Sequence, residues 1–182
     1  MLLHGMSDSL YSLRALGETL NRRDYWVIGL RLPGHGTAPS GLTRVIWQDM
    51  AAAVRLGMAH LAASVGQKPI HIVSYSTGAL LAINFSLDAL EGDDLPVPAS
   101  LELISPAIGV QAAAALAKWK RRLSYLPGLG GFAWLSVLPE FDPYKYNSFA
   151  INAAEQVHSL THSVARIVRA AVAVDCDRCL LE

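Results

Sequence analysis

The chain has 182 residues, 52% of them apolar, and its 15 acidic and 15 basic side chains cancel. That length suits one domain with a real core, and the balanced charge gives no footprint for nucleic acid or an anionic membrane surface. The alanine-rich runs are broken by Arg, Lys or Gln within about one or two helical turns, so no stable membrane insertion is expected. In chain order, Met1–Leu3 predicts a first strand. Leu10, Leu13, Leu16 and Leu20 then fall on one helical face, with Arg14, Glu18 and Arg22 left to water. A second strand is expected at Tyr25–Leu30, a helix at Trp47–Val65 ending near Gly66, and a third strand at Ile70–Tyr75. A helix follows from just after Ser76 to about Leu90, then the loop "EGDDLPVPAS" and a fourth strand at Leu101–Ile104. Strands alternating with helices predict an α/β fold, a mostly parallel sheet covered by helices on both faces. Beyond Pro106 the alternation stops. Gln111–Arg122 reads as helix, "LPGLGG" as a break and Ala153–Val172 as one longer helix, so roughly Gly109–His162 is an insertion.

The opening "MLLHGMSDSL" lacks the basic region, long apolar stretch and cleavage site of a secretory signal, and cytoplasmic residence is the expectation. Cys176 and Cys179 are the only cysteines, half of a four-cysteine zinc site without a strand-to-helix context. They read as incidental thiols, and no metal or cofactor is expected.

The stretch "IHIVSYSTGALL" carries the chemistry. An apolar strand stops at Ser76 and a helix starts at Thr77, the geometry of a nucleophile elbow. So sharp a turn strains the serine backbone and projects its hydroxyl from the end of the sheet. It also brings the helix so close that neighbours two positions away must be small. Ser74 and Gly78 meet that demand as elbow-shaping residues, and the helix N-terminus aims N–H groups, beginning with that of Thr77, at a developing negative charge. The usual pattern is Gly-x-Ser-x-Gly; Ser74 departs from its first position while staying small.

His4-Gly5 after the first strand, "LRLPGHGTAPSG" after the second and the elbow after the third resemble, in order and spacing, the α/β-hydrolase family, in particular its lipase, esterase and serine-aminopeptidase-like members. The resemblance implies Ser76 as the nucleophile on carboxylic esters or related small acyl substrates. It implies Met6 and Thr77 as the backbone donors of an oxyanion hole. It also implies a partial fold, truncated at both ends: core over residues 1–108, a helical cap insertion over 109–162, and over 163–182 a helix end leading into a core segment that is missing. The strands present would be neighbours, and their uncovered edges predict self-association.

The other histidines are weighed against the base that such chemistry needs. His35 in "PGHGT" reads as part of a structural turn, His4 as loop-shaping, His71 as a core or helix-facing residue within a strand, and His60 as part of a helix's polar face. His158 and His162 precede Asp175 and Asp177, so the family's order of acid then histidine after the serine is not completed. A non-catalytic remnant or binding module therefore stands as the alternative. Within the insertion, Trp119, Trp134, Leu135, Phe141, Tyr144, Tyr146 and Phe149 either line an acyl pocket or form the cap's own core. Neither "PGHGTAPSG" nor "LPGLGG" has the spacing of a dinucleotide-binding turn.

Overall fold

The structure, a computed structural model, describes residues 1–92, 94–108, 124, 126 and 128–179. Four parallel strands, β1 (Leu2–Leu3), β2 (Gly29–Leu30), β3 (His71–Tyr75) and β4 (Ser100–Ile104), lie in the order β2-β1-β3-β4. The register pairs Leu2 with both Gly29 and Val73, and Val73 with Glu102. Helices α1 (Arg14–Asn21), α2 (Trp47–Val65), α3 (Thr77–Leu90) and α4 (Ile151–Cys179) complete the core, α4 with side chains described to Arg169.

The sheet's two faces are covered unequally. On one, α2, α3 and α4 pack against each other and the sheet. Met50, Val54, Met58 and Leu61 recur at helical spacing on α2 and are buried with Leu3, Ile72, Leu80, Leu81, Phe85 and Leu160. Each such side chain stabilises the fold by about 1.5–3 kcal/mol when fully withdrawn from water. On the other face α1 lies against β1, where a Cβ on Gly17 would come 3.3 Å from Leu2 Cδ1. Toward β3 and β4 this face is open among the described residues, and His71, Tyr75, Glu102 and Ile104 are exposed. A cleft of about 670 Å³ lies beside α1, with Trp26, His71 and Glu102 in its wall.

Expectation and structure differ in detail. Tyr25–Leu30 is strand only at Gly29–Leu30, because β1 offers two residues to pair with. Tyr25 and Trp26 are instead the exposed exit from α1, following Asp24 in a left-handed turn with φ +63°. Leu10–Leu13 is a separate 3-10 turn before α1. His71 is not a core residue; it is exposed and bonded through Nδ1 to Ser100 Oγ at 2.8 Å. The expected helix over Gln111–Arg122 and the place of Trp119 lie outside the described residues. Within the insertion, β5 (Trp134–Ser136) and β6 (Phe149–Ala150) form an antiparallel pair, an element that periodicity does not announce.

Two amides on α4 fix the start of α2. Gln156 Oε1 accepts the Trp47 N–H at 3.0 Å, and Asn152 Nδ2 donates to the carbonyls of Leu42 and Val45 at 2.8 Å each. The helix has no side-chain cap from its own N-cap residue, Ile46, and an orphan N–H there needs such a partner.

Candidate active site

β3 ends at Tyr75 and α3 starts at Thr77, leaving Ser76 alone to reverse the chain with φ +54° and ψ −115°. An L-residue with a Cβ occupies that region at a cost of about 1–3 kcal/mol. The surrounding backbone enforces it: Ser76 N–H donates to Ile104 O at 3.0 Å, while Ser76 O accepts from Ala79 N at 3.1 Å and Ala107 N at 3.3 Å. The turn drives α3 against the end of β1. A Cβ on Gly78 would lie 2.6 Å from Leu3 O and 2.7 Å from His4 O, so only hydrogen fits. Ser74 is fully buried two residues before the turn, its hydroxyl donating to Glu102 O at 3.2 Å.

Beside Ser76 runs the loop leaving β1. Gly5 O accepts Asp8 N–H at 3.3 Å, closing a β-turn with Met6 at its second position. A second-position N–H has no acceptor within such a turn, and Met6 N–H has none elsewhere among the described residues. Thr77 N–H, at the first position of α3, is likewise free of the helix ladder. Met6 and Thr77 are both buried, and a Cβ on Gly5 would come 3.1 Å from Ser76 Cβ, so the two turns are in contact. The Thr77 hydroxyl is buried with no hydrogen-bond partner among the described residues.

Two histidines stand behind the loop. His4 is wholly buried; its Nδ1 donates to Gly5 O at 2.8 Å and its Nε2 accepts Leu32 N–H at 3.2 Å. Burial lowers its pKa from 6.5 to about 4, opposed by the bond to Gly5 and aided by His35 nearby. His35 Nε2 faces Met6 O at 2.7 Å and Nδ1 faces Pro33 O at 2.9 Å. Gly34 and Gly36, at φ +80° and +86°, make the tight turn that brings it there.

The segment 143–146 borders the same loop. Ser9 N–H donates to Tyr144 O at 2.8 Å, Tyr146 N–H to Ser7 O at 2.7 Å, and Asp8 pairs with Lys145 between them. Tyr146 stacks on His35 with ring centroids 6.3 Å apart and accepts Thr37 N–H on its hydroxyl at 3.2 Å. A cleft of about 390 Å³ opens here, lined among others by Asp8, Tyr11, Arg31, Lys145 and Tyr146. Burial raises the Asp8 pKa, against the nearby Lys145 charge. The aromatic and apolar positions of the insertion divide: Trp134, Tyr146 and Phe149 pack on the hydrophobic core, while Leu135, Phe141 and Tyr144 are exposed.

Ser76, Met6, Thr77, Ser74 and Gly78 thus share one corner of the sheet. No histidine or carboxylate is hydrogen-bonded to Ser76 Oγ among the described residues. His158 and His162 pair with each other on α4, ring centroids 4.3 Å apart. His60 stands near Trp26 on the surface. Asp175, Cys176, Asp177 and Cys179 fall where side chains are outside the described residues. No group of three metal-ligating side chains occurs among the described residues, and no described helix is long and apolar enough to cross a membrane. Sequence reasoning did not find Asp8, Asn152 or Gln156. The last two, four apart on an apolar helix face, were the one legible hint of buried amides.

The parallel sheet, the strained turn after its third strand and the helix packed on Gly78 are those of an α/β-hydrolase. Residues 1–171 match the family described as serine aminopeptidase, S33, and the chain belongs to it. Among solved structures it is similar to one reported for LipS and LipT, metagenome-derived lipolytic enzymes, with TM-score 0.70, 20% identity, and 91% of this chain against 64% of that one. It is also similar to the Paleococcus ferrophilus monoacylglycerol lipase, with TM-score 0.63, 14% identity, and 91% of this chain against 66% of that one. The chain spans just under two thirds of the length of these structures. No curated protein matches it.

Proposed function

We propose that the chain carries the nucleophile and oxyanion hole of a serine hydrolase acting on carboxylic esters or related small acyl substrates. The observation that carries this is the backbone of Ser76, held at φ +54° between β3 and α3. Such strain is a mark of functional sites, and the N–H groups of Met6 and Thr77, without acceptors among the described residues, belong to the two turns that meet there. In the reaction Ser76 Oγ adds to the acyl carbon while its proton leaves to a base. The carbonyl electron pair moves onto oxygen between the two N–H groups, and collapse expels the alcohol. Water then repeats the addition, releases the acid and restores Ser76. Family membership and two lipolytic structural neighbours support this chemistry.

A second reading, a binding module or remnant without turnover, is favoured by one observation: no titratable side chain among the described residues is bonded to Ser76 Oγ. Losing the base costs about a millionfold in turnover. Incubation with a fluorophosphonate and a short p-nitrophenyl ester, beside Ser76→Ala, separates the two. Labelling and ester cleavage that vanish in the variant support the hydrolase; a silent wild type supports the module. We extend the proposal to cytoplasmic residence, which cell fractionation tests.

A further inference from the structure

We propose that Thr77 is a catalytic residue through its side chain: the hydroxyl donates a hydrogen bond to the same developing negative oxygen as the Thr77 backbone N–H. This rests on the reading of Ser76 as the nucleophile and of Thr77 N–H as an oxyanion donor. Thr77 is 1% exposed, and its Oγ1 is the one buried side-chain polar atom among the described residues that has no hydrogen-bond partner there. A buried hydroxyl in that state costs stability. Its place in the fold explains why the usual partner is missing. A threonine within a helix returns its hydroxyl to a carbonyl one turn earlier, as Thr19 does to Ala15 O at 2.8 Å and Thr161 to Val157 O at 2.9 Å. Thr77 opens α3, and one turn earlier lie Val73 and Ser74, whose backbone is paired in the sheet.

Side chains on a helix lean toward its N-terminus. At the first residue that direction leads past the helix end, where the unbonded N–H groups also point. The hydroxyl and the N–H of Thr77 therefore stand together at the end of α3 that meets Ser76 and the turn of Gly5 and Met6. An oxygen that reaches the N–H comes beside the hydroxyl as well, because N is bonded to Cα and Oγ1 to the adjoining Cβ. As Ser76 Oγ adds to the acyl carbon, the carbonyl electron pair moves onto oxygen and the Thr77 O–H turns its hydrogen toward it. The hydroxyl gives up no protein bond to do so, and the new bond is strongest while the oxygen is negative. The pattern Gly-x-Ser-x-Gly leaves the position after the serine open; here it holds a donor that valine, of the same shape, would lack.

The test compares Thr77→Val, which keeps the shape and loses the hydroxyl, with Thr77→Ser, which keeps the hydroxyl. In the full chain the rate at which a fluorophosphonate labels Ser76 is expected to fall about a hundredfold in Thr77→Val, as when one oxyanion donor is removed. The same variant should resist urea better than the wild type, because the idle hydroxyl is gone. Thr77→Ser should recover most of the labelling rate. A threonine that only fills space does not give a slower but more stable valine variant. A valine variant that labels at the wild-type rate overturns the proposal and leaves Ser76 and the backbone donors as read, and so does a serine variant as slow as valine. A wild type that labels no faster than Ser76→Ala overturns the nucleophile reading and the role of the hydroxyl with it. Should Thr77→Val not fold, Thr77→Ala takes its place beside Thr77→Ser: slow alanine with fast serine supports the proposal, and equal rates overturn it.

Discussion

Around Ser76 a single added methyl at Gly78 would sit 2.6 Å from a backbone oxygen, whereas on the segment 128–148 Phe141 keeps 81% of its surface exposed. The elbow is held by backbone against backbone, with no slack. The segment is held by Trp134 and Tyr146 against the core and by polar contacts: the Asn147 and Ser148 N–H groups donating to Glu140 at 2.8 Å, and residues 7–9 pairing with 144–146. Close backbone packing is concentrated at the proposed nucleophile, and the exposed side chains stand on the segment beside it.

The sharpest way to break this contrast is Gly78→Ala. Its Cβ meets the backbone of Leu3 and His4, which cannot yield as a side chain can. A loss of about 4 kcal/mol is expected in urea unfolding, beyond ordinary overpacking. Acid is the next lever. His4 binds its proton less readily folded than unfolded, with a pKa of about 4 against 6.5. Stability is therefore complete above about pH 6.5 and is lost as pH falls toward 4, by up to about 3 kcal/mol. Asp8 shifts the opposite way, its raised pKa making the folded state the better proton binder. Melting temperatures between pH 4 and 7 should fall with acidification in the wild type and less steeply in His4→Asn.

Gln156→Leu leaves the partly buried Trp47 N–H without its acceptor and should cost about 1 kcal/mol by chemical denaturation. Thr77→Val goes the other way: it removes a buried hydroxyl that has no partner among the described residues but keeps the backbone N–H, so a gain of about 1 kcal/mol is expected with the turn intact. At the loose end of the comparison, Phe141→Ser should change the unfolding free energy by less than about 0.5 kcal/mol in urea titration.

The same contrast explains what could be read without coordinates. Trp47–Val65 as α2 and Thr77–Leu90 as α3 followed from spacing alone, because a helix records its buried face every three or four residues. Ser76 and Gly78 were legible because the turn's demand falls on residues two apart. The pairing of 7–9 with 144–146 was not, since backbone bonds between distant segments leave no mark on side-chain type. The β5–β6 pair, two and three residues long, is too short for alternation to register. His71 was misplaced for a related reason: periodicity shows that a strand has two faces, and not that one of them stays bare near β4. His4 and His35 were recognised as shaping residues, but that their rings meet the carbonyls of Gly5 and Met6 depends on a β-turn that the letters "HGMSD" do not specify.

Gln156 ties the sequence to time as well as space. The acceptor for the first N–H of α2 lies 109 residues further along the chain. At ribosomal speed that separation takes roughly 5–20 s to synthesise, so α2 is born with a frayed start. Until α4 follows it, Leu42 O and Val45 O also lack the Asn152 amide. In a nascent chain the start of α2 thus waits for its partners through the making of β3, α3 and β4, while the rest of the helix already has β1, β3 and α3 to pack on.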